Sequence, residues 1–152
     1  PAADVSTGSL ETTLTFAVVP AAAEEGGIRD VLIGFVGDSP LFKLSDGTWT
    51  RVPDAAAEDL IDPTTQGLHS GPLELGKTTL RDDEVLVLAT DGIGNFVRRG
   101  DEVLPVGDYL AEALRAPIEP AAFVTGLMFD FVSADDDRTA VVCWPNRQQH
   151  EA

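Results

Sequence analysis

Acidic residues stand at the ends of three apolar segments of this sequence. The segment "DVLIGFVGD" ends in Asp38, "EVLVLAT" runs into Asp91, and "RTAVVCW" begins directly after the three aspartates 135–137. If these segments are neighbouring strands of one sheet, their carboxylates can converge at one edge, where their repulsion must be compensated by a cation or a proton. Ligands that are all oxygen select hard ions such as Mg2+ or Mn2+ rather than zinc or copper.

Ordinary turn chemistry explains each of these acidic positions equally simply. Asp91 precedes a glycine, a combination common in turns, and Asp38 could cap its own turn. The aspartate run could be a solvated loop in which Asp137 pairs with Arg138. The spacing of these residues therefore leaves both a metal site and three plain turns open.

The remaining residues that could carry chemistry, the two histidines and the cysteine, are explained by ordinary surface and core positions. His69 and His150 lack ligand-like spacing and are expected at the surface, and Cys143, the only cysteine, reads as a small core residue of a strand. A single cysteine excludes an intrachain disulfide and a cysteine-based zinc site, and it fits a reducing cytoplasm. No secretory signal or membrane-length apolar run is visible, so a cytoplasmic location is expected.

Composition limits the classes of partner. The chain has 152 residues, of which 43% are hydrophobic, so one folded domain with a real core is expected. Its 26 acidic and 10 basic residues give a net charge of −16. Nucleic acid and anionic membranes attract clustered Lys and Arg, so neither is expected as a partner.

The predicted helices and strands determine where the acidic residues lie in the fold. Helices are predicted at 107–116, capped by Asp108, and at 119–133, where Pro120 suits the first turn. Residues 53–82 read as a surface excursion with a short helical turn near 55–60. Strands are predicted at 13–20, 30–38, 84–90 and 138–144, with a hairpin at 41–52 that turns at "SDG".

This order of elements predicts the fold class. Strands come first, then two helices, then a last strand, without alternation of strand and helix. The prediction is therefore an α+β fold with largely antiparallel pairing. We expect one domain over 1–145 and a tail over 146–152.

Taken in order, the segments "TTLTFAVV", "GDSPLFKLSDGTW", "VLVLATDGIGNFV" and "DDRTAVVCW" resemble the PP2C family of metal-dependent serine/threonine protein phosphatases. The pair "LATDG" and "DDRTAVV" carries most of the resemblance, which covers nearly the whole chain. It implies an antiparallel β-sandwich flanked by helices. It also implies that Asp91 and Asp136 are ligands of a binuclear Mn2+ or Mg2+ centre, and that Asp38 helps to hold a third, weaker metal.

The chain also departs from the family pattern. The family's first motifs, including "DGHGG" with its bridging aspartate and catalytic histidine, do not occur in the sequence, so no catalytic residue is assigned. The chain thus looks like a phosphatase domain without its N-terminal portion, and that missing half is an expected partner. Pro40 replaces the usual arginine after "GDS", Asp137 stands where asparagine is usual, and Asn95 replaces a frequent second aspartate that bears on the third metal.

The resemblance implies hydrolysis of phosphoserine or phosphothreonine proteins by a metal-activated water. The alternative is a non-catalytic relative, a regulatory or binding module that keeps the fold without the chemistry. A relative that dephosphorylates anti-sigma-factor antagonists shares the same metal centre and is a third reading, although the "LATDG" and "DDRT" forms favour a general protein phosphatase.

Overall fold

The computed structural model describes residues 12–53, 72–129 and 137–145. Several sequence-based expectations fall outside these ranges, namely the helical turn near 55–60, both histidines, Asp136 and the tail. The boundary at residue 145 likewise stays a prediction. The described elements, in chain order, are β1 (Leu14–Val18), β2 (Ile28–Val36), β3 (Leu41–Ser45), β4 (Thr48–Val52), β5 (Glu74–Arg81), β6 (Val85–Ala89), α1 (Asp91–Val97), β7 (Arg98–Arg99), β8 (Glu102–Val103), α2 (Pro105–Ala113), α3 (Pro120–Leu127) and β9 (Ala140–Cys143).

The strands form two antiparallel sheets and a small hairpin. One sheet has the order β1-β2-β5, the other has the order β4-β3-β6-β9, and β7 pairs with β8. Each strand pair of the described chain is antiparallel. The predicted class, α+β with antiparallel sheets and flanking helices, is confirmed.

Apolar residues of the two sheets pack against each other to form one core. Val31, Ile33 and Leu80 of the three-stranded sheet are almost fully buried, and they cluster with Leu41 and Leu86 of the four-stranded sheet. Alternation along each strand sends every second residue into this layer, as expected for a sandwich.

A second core lies between the other face of the four-stranded sheet and the helices. Trp49 of β4 is 2% exposed and packs with Ile93 of α1 and with Leu110 and Leu114, in α2 and just after it. The Trp49 indole Nε1 donates a hydrogen bond of 2.9 Å to the carbonyl of Gly107. The helices therefore pack against the four-stranded sheet, which is the sheet that contains β3, β6 and β9.

The hairpin predicted at "SDG" is present. β3 and β4 are joined at Asp46 and Gly47, whose φ angles are 47° and 76°. Positive φ at both central residues is the geometry of a type I′ turn, one of the two common two-residue hairpin turns, and Asp-Gly is a preferred pair for it.

Four elements were not expected from the sequence. β5 lies inside the segment 53–82 that was predicted to be a surface excursion, α1 begins at Asp91, where no helix was predicted, and β7 and β8 form a short hairpin directly after α1. β5 lies at the edge of its sheet, and of its inward-facing residues only Leu80 is large and apolar, so the strand has a weak apolar pattern. α1 contains two glycines, which disfavour helix in isolation.

The predicted helix boundaries needed correction. α2 begins at Pro105 with Leu104 at the N-cap position, so the assignment of Asp108 as the N-cap was wrong. Proline at the first helical position is pre-organised for helix and explains the earlier start. α3 was predicted over 119–133; it begins at Pro120, in the predicted first turn, but ends at Leu127, so its predicted C-terminal end was wrong.

Candidate metal site

Three acidic segments meet at one edge of the four-stranded sheet. The start of β3 pairs with the end of β6 (Leu41 opposite Leu88), and the end of β6 pairs with the start of β9 (Ala89 opposite Ala140). Because neighbours in an antiparallel sheet run in opposite directions, the segments before β3, after β6 and before β9 leave the sheet on the same side. We call Asp38, Asp91 and Asp137, which lie on these segments, the acidic edge.

Asp91 is the first residue of α1 and is half-buried. Its carboxylate oxygen Oδ1 accepts a hydrogen bond of 3.0 Å from the backbone N–H of Gly92. The buried strand β6 ends only two residues earlier, at Ala89. The position of Asp91 is therefore set by a rigid strand on one side and by a packed helix on the other.

Thr90 joins the Asp91 segment to the segment that enters β9. Its hydroxyl Oγ1 donates to the carbonyl of Asp137 at 2.8 Å and accepts from the N–H of Thr139 at 3.0 Å. Its own N–H donates to the carbonyl of Thr139 at 3.0 Å. These bonds extend the pairing of β6 with β9 beyond the strand ends, up to the acidic residues themselves.

Asp38 lies in the connection from β2 to β3, and its neighbours anchor that connection. The hydroxyl of Ser39 lies 2.8 Å from that of Thr13, and Thr15 Oγ1 donates to the carbonyl of Ser39 at 2.7 Å. On the other side, the N–H of Ala89 donates to the carbonyl of Pro40 at 3.0 Å. The Asp38 loop is thus tied both to β1 and to the end of β6.

Arg51 of β4 supplies positive charge near this loop. Burial lowers the pKa of its guanidinium, and the electrostatic interaction with Asp38 opposes that shift. Arg51 pairs with Phe42 in the register of β3 and β4, one residue from the end of β4. A cation near Asp38 offsets part of the repulsion expected among the carboxylates of the acidic edge.

The donor atoms of the acidic edge suit a hard divalent cation, because they are carboxylate oxygens. Asp137 is exposed, and Asp136, the second predicted ligand of the binuclear centre, lies outside the described residues. Within the described ranges, no three side chains of His, Cys, Asp or Glu form a group that could hold a metal ion. The structure therefore brings the acidic segments to one edge, while the assignment of Asp38, Asp91 and Asp136 as ligands stays a prediction.

No protein-family model matches the chain, and no curated protein matches it significantly in sequence. Among the solved structures that are similar to the chain, two align with 74% of it. PppA, described as a key regulatory component of the T6SS in Pseudomonas aeruginosa, is 21% identical with a TM-score of 0.47, over 51% of its length. The catalytic domain of the serine threonine protein phosphatase PstP, in complex with two manganese ions, is 19% identical with a TM-score of 0.48, over 52% of its length. The chain spans about half of each, and similarity at this level assigns no family.

Sequence reasoning missed several residues that shape this site. The sequence shows Thr90 only as the residue before Asp91, whereas in the structure its hydroxyl bonds to both Asp137 and Thr139. Arg51 was not singled out, since nothing in its sequence neighbourhood points to Asp38. Arg138 donates to the carbonyls of Leu127 and Phe129 at the end of α3, and no local sequence pattern predicts this contact.

Proposed function

We propose that this chain forms part of a PP2C-type, metal-dependent serine/threonine protein phosphatase. The observation that carries the proposal is the adjacency of its two most specific motifs. "LATDG" ends β6 and "DDRT" enters β9, these strands are paired, and Thr90 ties the two motifs together. Two motifs nearly fifty residues apart in sequence thus lie at paired strand ends, and this adjacency supports the proposal that both supply ligands to one metal centre.

In this proposal Asp91 and Asp136 hold the binuclear Mn2+ or Mg2+ centre, and Asp38 contributes to a third, weaker ion. A bound divalent ion of this kind lowers the pKa of a coordinated water and neutralises the charge that develops during phosphoryl transfer. The protein's own contribution is orientation. The N–H of Gly92 orients the Asp91 carboxylate, and the hydrogen bonds of Ser39 with Thr13 and Thr15 hold the Asp38 loop in place.

The substrate class that follows is a protein carrying phosphoserine or phosphothreonine. The family's first motifs are not in this sequence, so we propose that the remaining ligands come from an N-terminal half of the domain, which is also its partner. Within the described ranges, no helix is both long and apolar enough to cross a bilayer. We propose that the enzyme works in the cytoplasm, which its single free cysteine, Cys143, fits.

A second function is favoured by one specific observation: the bridging aspartate and the catalytic histidine of the family's first motifs do not occur in this sequence. A PP2C-like module that binds or regulates without catalysis needs neither residue. This alternative predicts a protein that does not bind Mn2+ tightly, even in its full natural chain.

Mn2+ titration calorimetry combined with turnover of a phosphoserine peptide tests the proposal on the full natural chain. We expect Mn2+ binding and Mn2+-dependent phosphate release. The isolated 152-residue chain should hydrolyse p-nitrophenyl phosphate poorly, because the expected bridging aspartate and catalytic histidine are not in its sequence. Absence of both Mn2+ binding and turnover in the full natural chain would favour the regulatory module.

A further inference from the structure

Arg138 fixes the end of α3 to the start of β9. Its Nη1 donates to the carbonyl of Leu127 at 3.3 Å and to the carbonyl of Phe129. Its guanidinium carbon lies 4.2 Å from the centroid of the Phe129 ring. The last carbonyls of a helix have no partner inside the helix, and a cation placed there satisfies them, so Arg138 closes the C-terminal end of α3.

Phe129 carries this contact further, to α1. Its ring lies edge-on to the ring of Phe96, with 5.7 Å between the centroids and 67° between the planes. Both rings pack against the core beneath the helices. Phe96 belongs to the same seven-residue helix that begins at Asp91. A displacement of Phe129 is therefore transmitted to the helix that presents Asp91.

The contacts close into a ring around the acidic edge. Arg138 is flanked by Asp137 and Thr139, and both of these residues hydrogen-bond to Thr90. Thr90 precedes Asp91 and α1, α1 carries Phe96, and Phe96 leads through Phe129 back to Arg138. Two sets of contacts thus join the same two segments: one consists of hydrogen bonds, and the other of the edge-on contact between Phe96 and Phe129 and the cation–π contact between Phe129 and Arg138.

We infer that Arg138, Phe129 and Phe96 form a positioning cluster that sets the placement of α1 and Asp91 relative to the segment that enters β9. The role toward a metal ion rests on the proposed function, whereas the mechanical coupling does not. None of the three side chains is proposed to touch substrate. Their effect passes through the elements that carry Asp91 and Asp137.

The competing explanation is that Arg138 only caps α3. In that case its removal loosens α3 and leaves α1 unchanged. The two explanations differ in what happens at the N–H groups of Ile93 and Gly94, which donate to the carbonyl of Thr90 at 3.0 Å and 2.9 Å at the start of α1. These amides lie far from α3 in sequence and report on the coupling directly.

The experiment uses the full natural chain and the variants Arg138→Met, Arg138→Lys and Phe129→Leu. Methionine keeps the length of the side chain without its charge, and lysine keeps a donor for the carbonyls without the planar group that stacks. Arg115→Met is the matched control, because the Arg115 side chain is 65% exposed and pairs with the exposed Glu112 three residues earlier. The readouts are amide hydrogen exchange without metal and Mn2+ affinity by calorimetry.

We expect Arg138→Met to speed exchange at Gly94 and Thr139 about tenfold and to weaken Mn2+ binding about tenfold, the size seen for residues that orient metal ligands. Phe129→Leu should act in the same direction, and Arg138→Lys should restore part of both quantities. Faster exchange confined to α3, with Gly94 and Mn2+ affinity as in Arg115→Met, overturns the inference. If the unsubstituted chain binds no Mn2+, the proposed function fails, and the exchange data alone decide the coupling.

Discussion

At the scale of single residues, the Thr90 hydroxyl links two segments that carry the acidic edge. It serves as donor to Asp137 and as acceptor from Thr139. Thr90→Val keeps the shape and the β-branch but removes both bonds, and it leaves the N–H of Thr139 without this acceptor. We expect the free energy of unfolding to fall by about 1–3 kcal/mol in urea denaturation. Thr48→Val, at an exposed position of β4, is the control, and an equal effect of both substitutions contradicts this role.

Asp91→Asn tests the carboxylate itself. Asparagine keeps the size and can still accept the hydrogen bond from Gly92, but it removes the charge that a cation needs. In the full natural chain we expect most Mn2+ affinity and phosphopeptide turnover to be lost while the fold is kept, as seen by circular dichroism.

Asp46→Asn is the control for Asp91→Asn. Asp46 lies in the hairpin turn with φ of 47°, a conformation that asparagine also accepts readily. Asp38→Asn should lower the affinity for the two ions of the binuclear centre less than Asp91→Asn does, because Asp38 is proposed to hold only the third, weaker ion. Unchanged Mn2+ affinity and rate in Asp91→Asn would return Asp91 to the role of a turn residue.

Cys143 makes stability depend on pH. Burial raises the pKa of its thiol, and the nearby Arg29 opposes that shift. Above the ordinary thiol pKa, about 8.5, the unfolded chain loses this proton while the folded chain retains it. The free energy of unfolding therefore falls as the pH rises, until the pH passes the higher pKa that the thiol has in the folded chain. Cys143→Ala should make the fall in unfolding free energy between about pH 8 and pH 10 shallower, and identical slopes contradict the assignment.

At the scale of elements, α1 fits against the Asp38 loop because Gly94 has no side chain. A Cβ at position 94 would lie 2.2 Å from Cγ of Pro40, closer than any real contact. Gly94→Ala should therefore lower the free energy of unfolding by about 1–3 kcal/mol through overpacking, although alanine is the better helix former. Thermal denaturation measures the effect, and Pro40→Ala in the same chain should recover part of it.

Gly126→Ala in α3 is the matched control for Gly94→Ala. Among the described residues, the added Cβ would meet the Tyr109 hydroxyl at 3.2 Å, at the end of a side chain that is 51% exposed. A neutral or slightly stabilising effect is expected, because alanine gains up to about 1 kcal/mol over glycine within a helix. Equal losses at both positions would show that the contact with Pro40 is not what constrains α1.

At the scale of the whole molecule, the outer face of the three-stranded sheet carries a patch of exposed apolar residues. Val18 and Leu32 face each other across β1 and β2, and they are 56% and 40% exposed, while Leu75 of β5 is 63% exposed. Contiguous apolar surface of this kind favours association. We expect the 152-residue chain to associate with itself, with its missing half or with another partner.

Sedimentation velocity over a range of protein concentrations and salt concentrations measures this association. Because the chain carries a net charge of −16, added salt should screen repulsion and strengthen self-association. Leu75→Lys should weaken it, whereas Arg99→Lys, at an exposed position of the small hairpin, should not. A compact monomer under all these conditions contradicts the prediction.

Local sequence was sufficient for features whose cause is local. Alternating and continuous apolar runs predicted β1, β2 and β6, the "SDG" turn predicted the β3–β4 hairpin, and Pro120 predicted the start of α3. In each case the residues that determine the element lie within it. The antiparallel α+β class followed from the order of these elements.

Tertiary structure decided what depends on distant partners. β5 is an edge strand whose polar residues look like a loop until its pairing with β2 is known. α1 forms despite two glycines because Gly94 fits closely against Pro40, from a loop more than fifty residues away. The same reason applies to the candidate site. The sequence determined that acidic residues follow or precede apolar strands, but only the pairing of β3, β6 and β9 brings those strand ends to one edge, because strand order in a sheet is not encoded in any single strand.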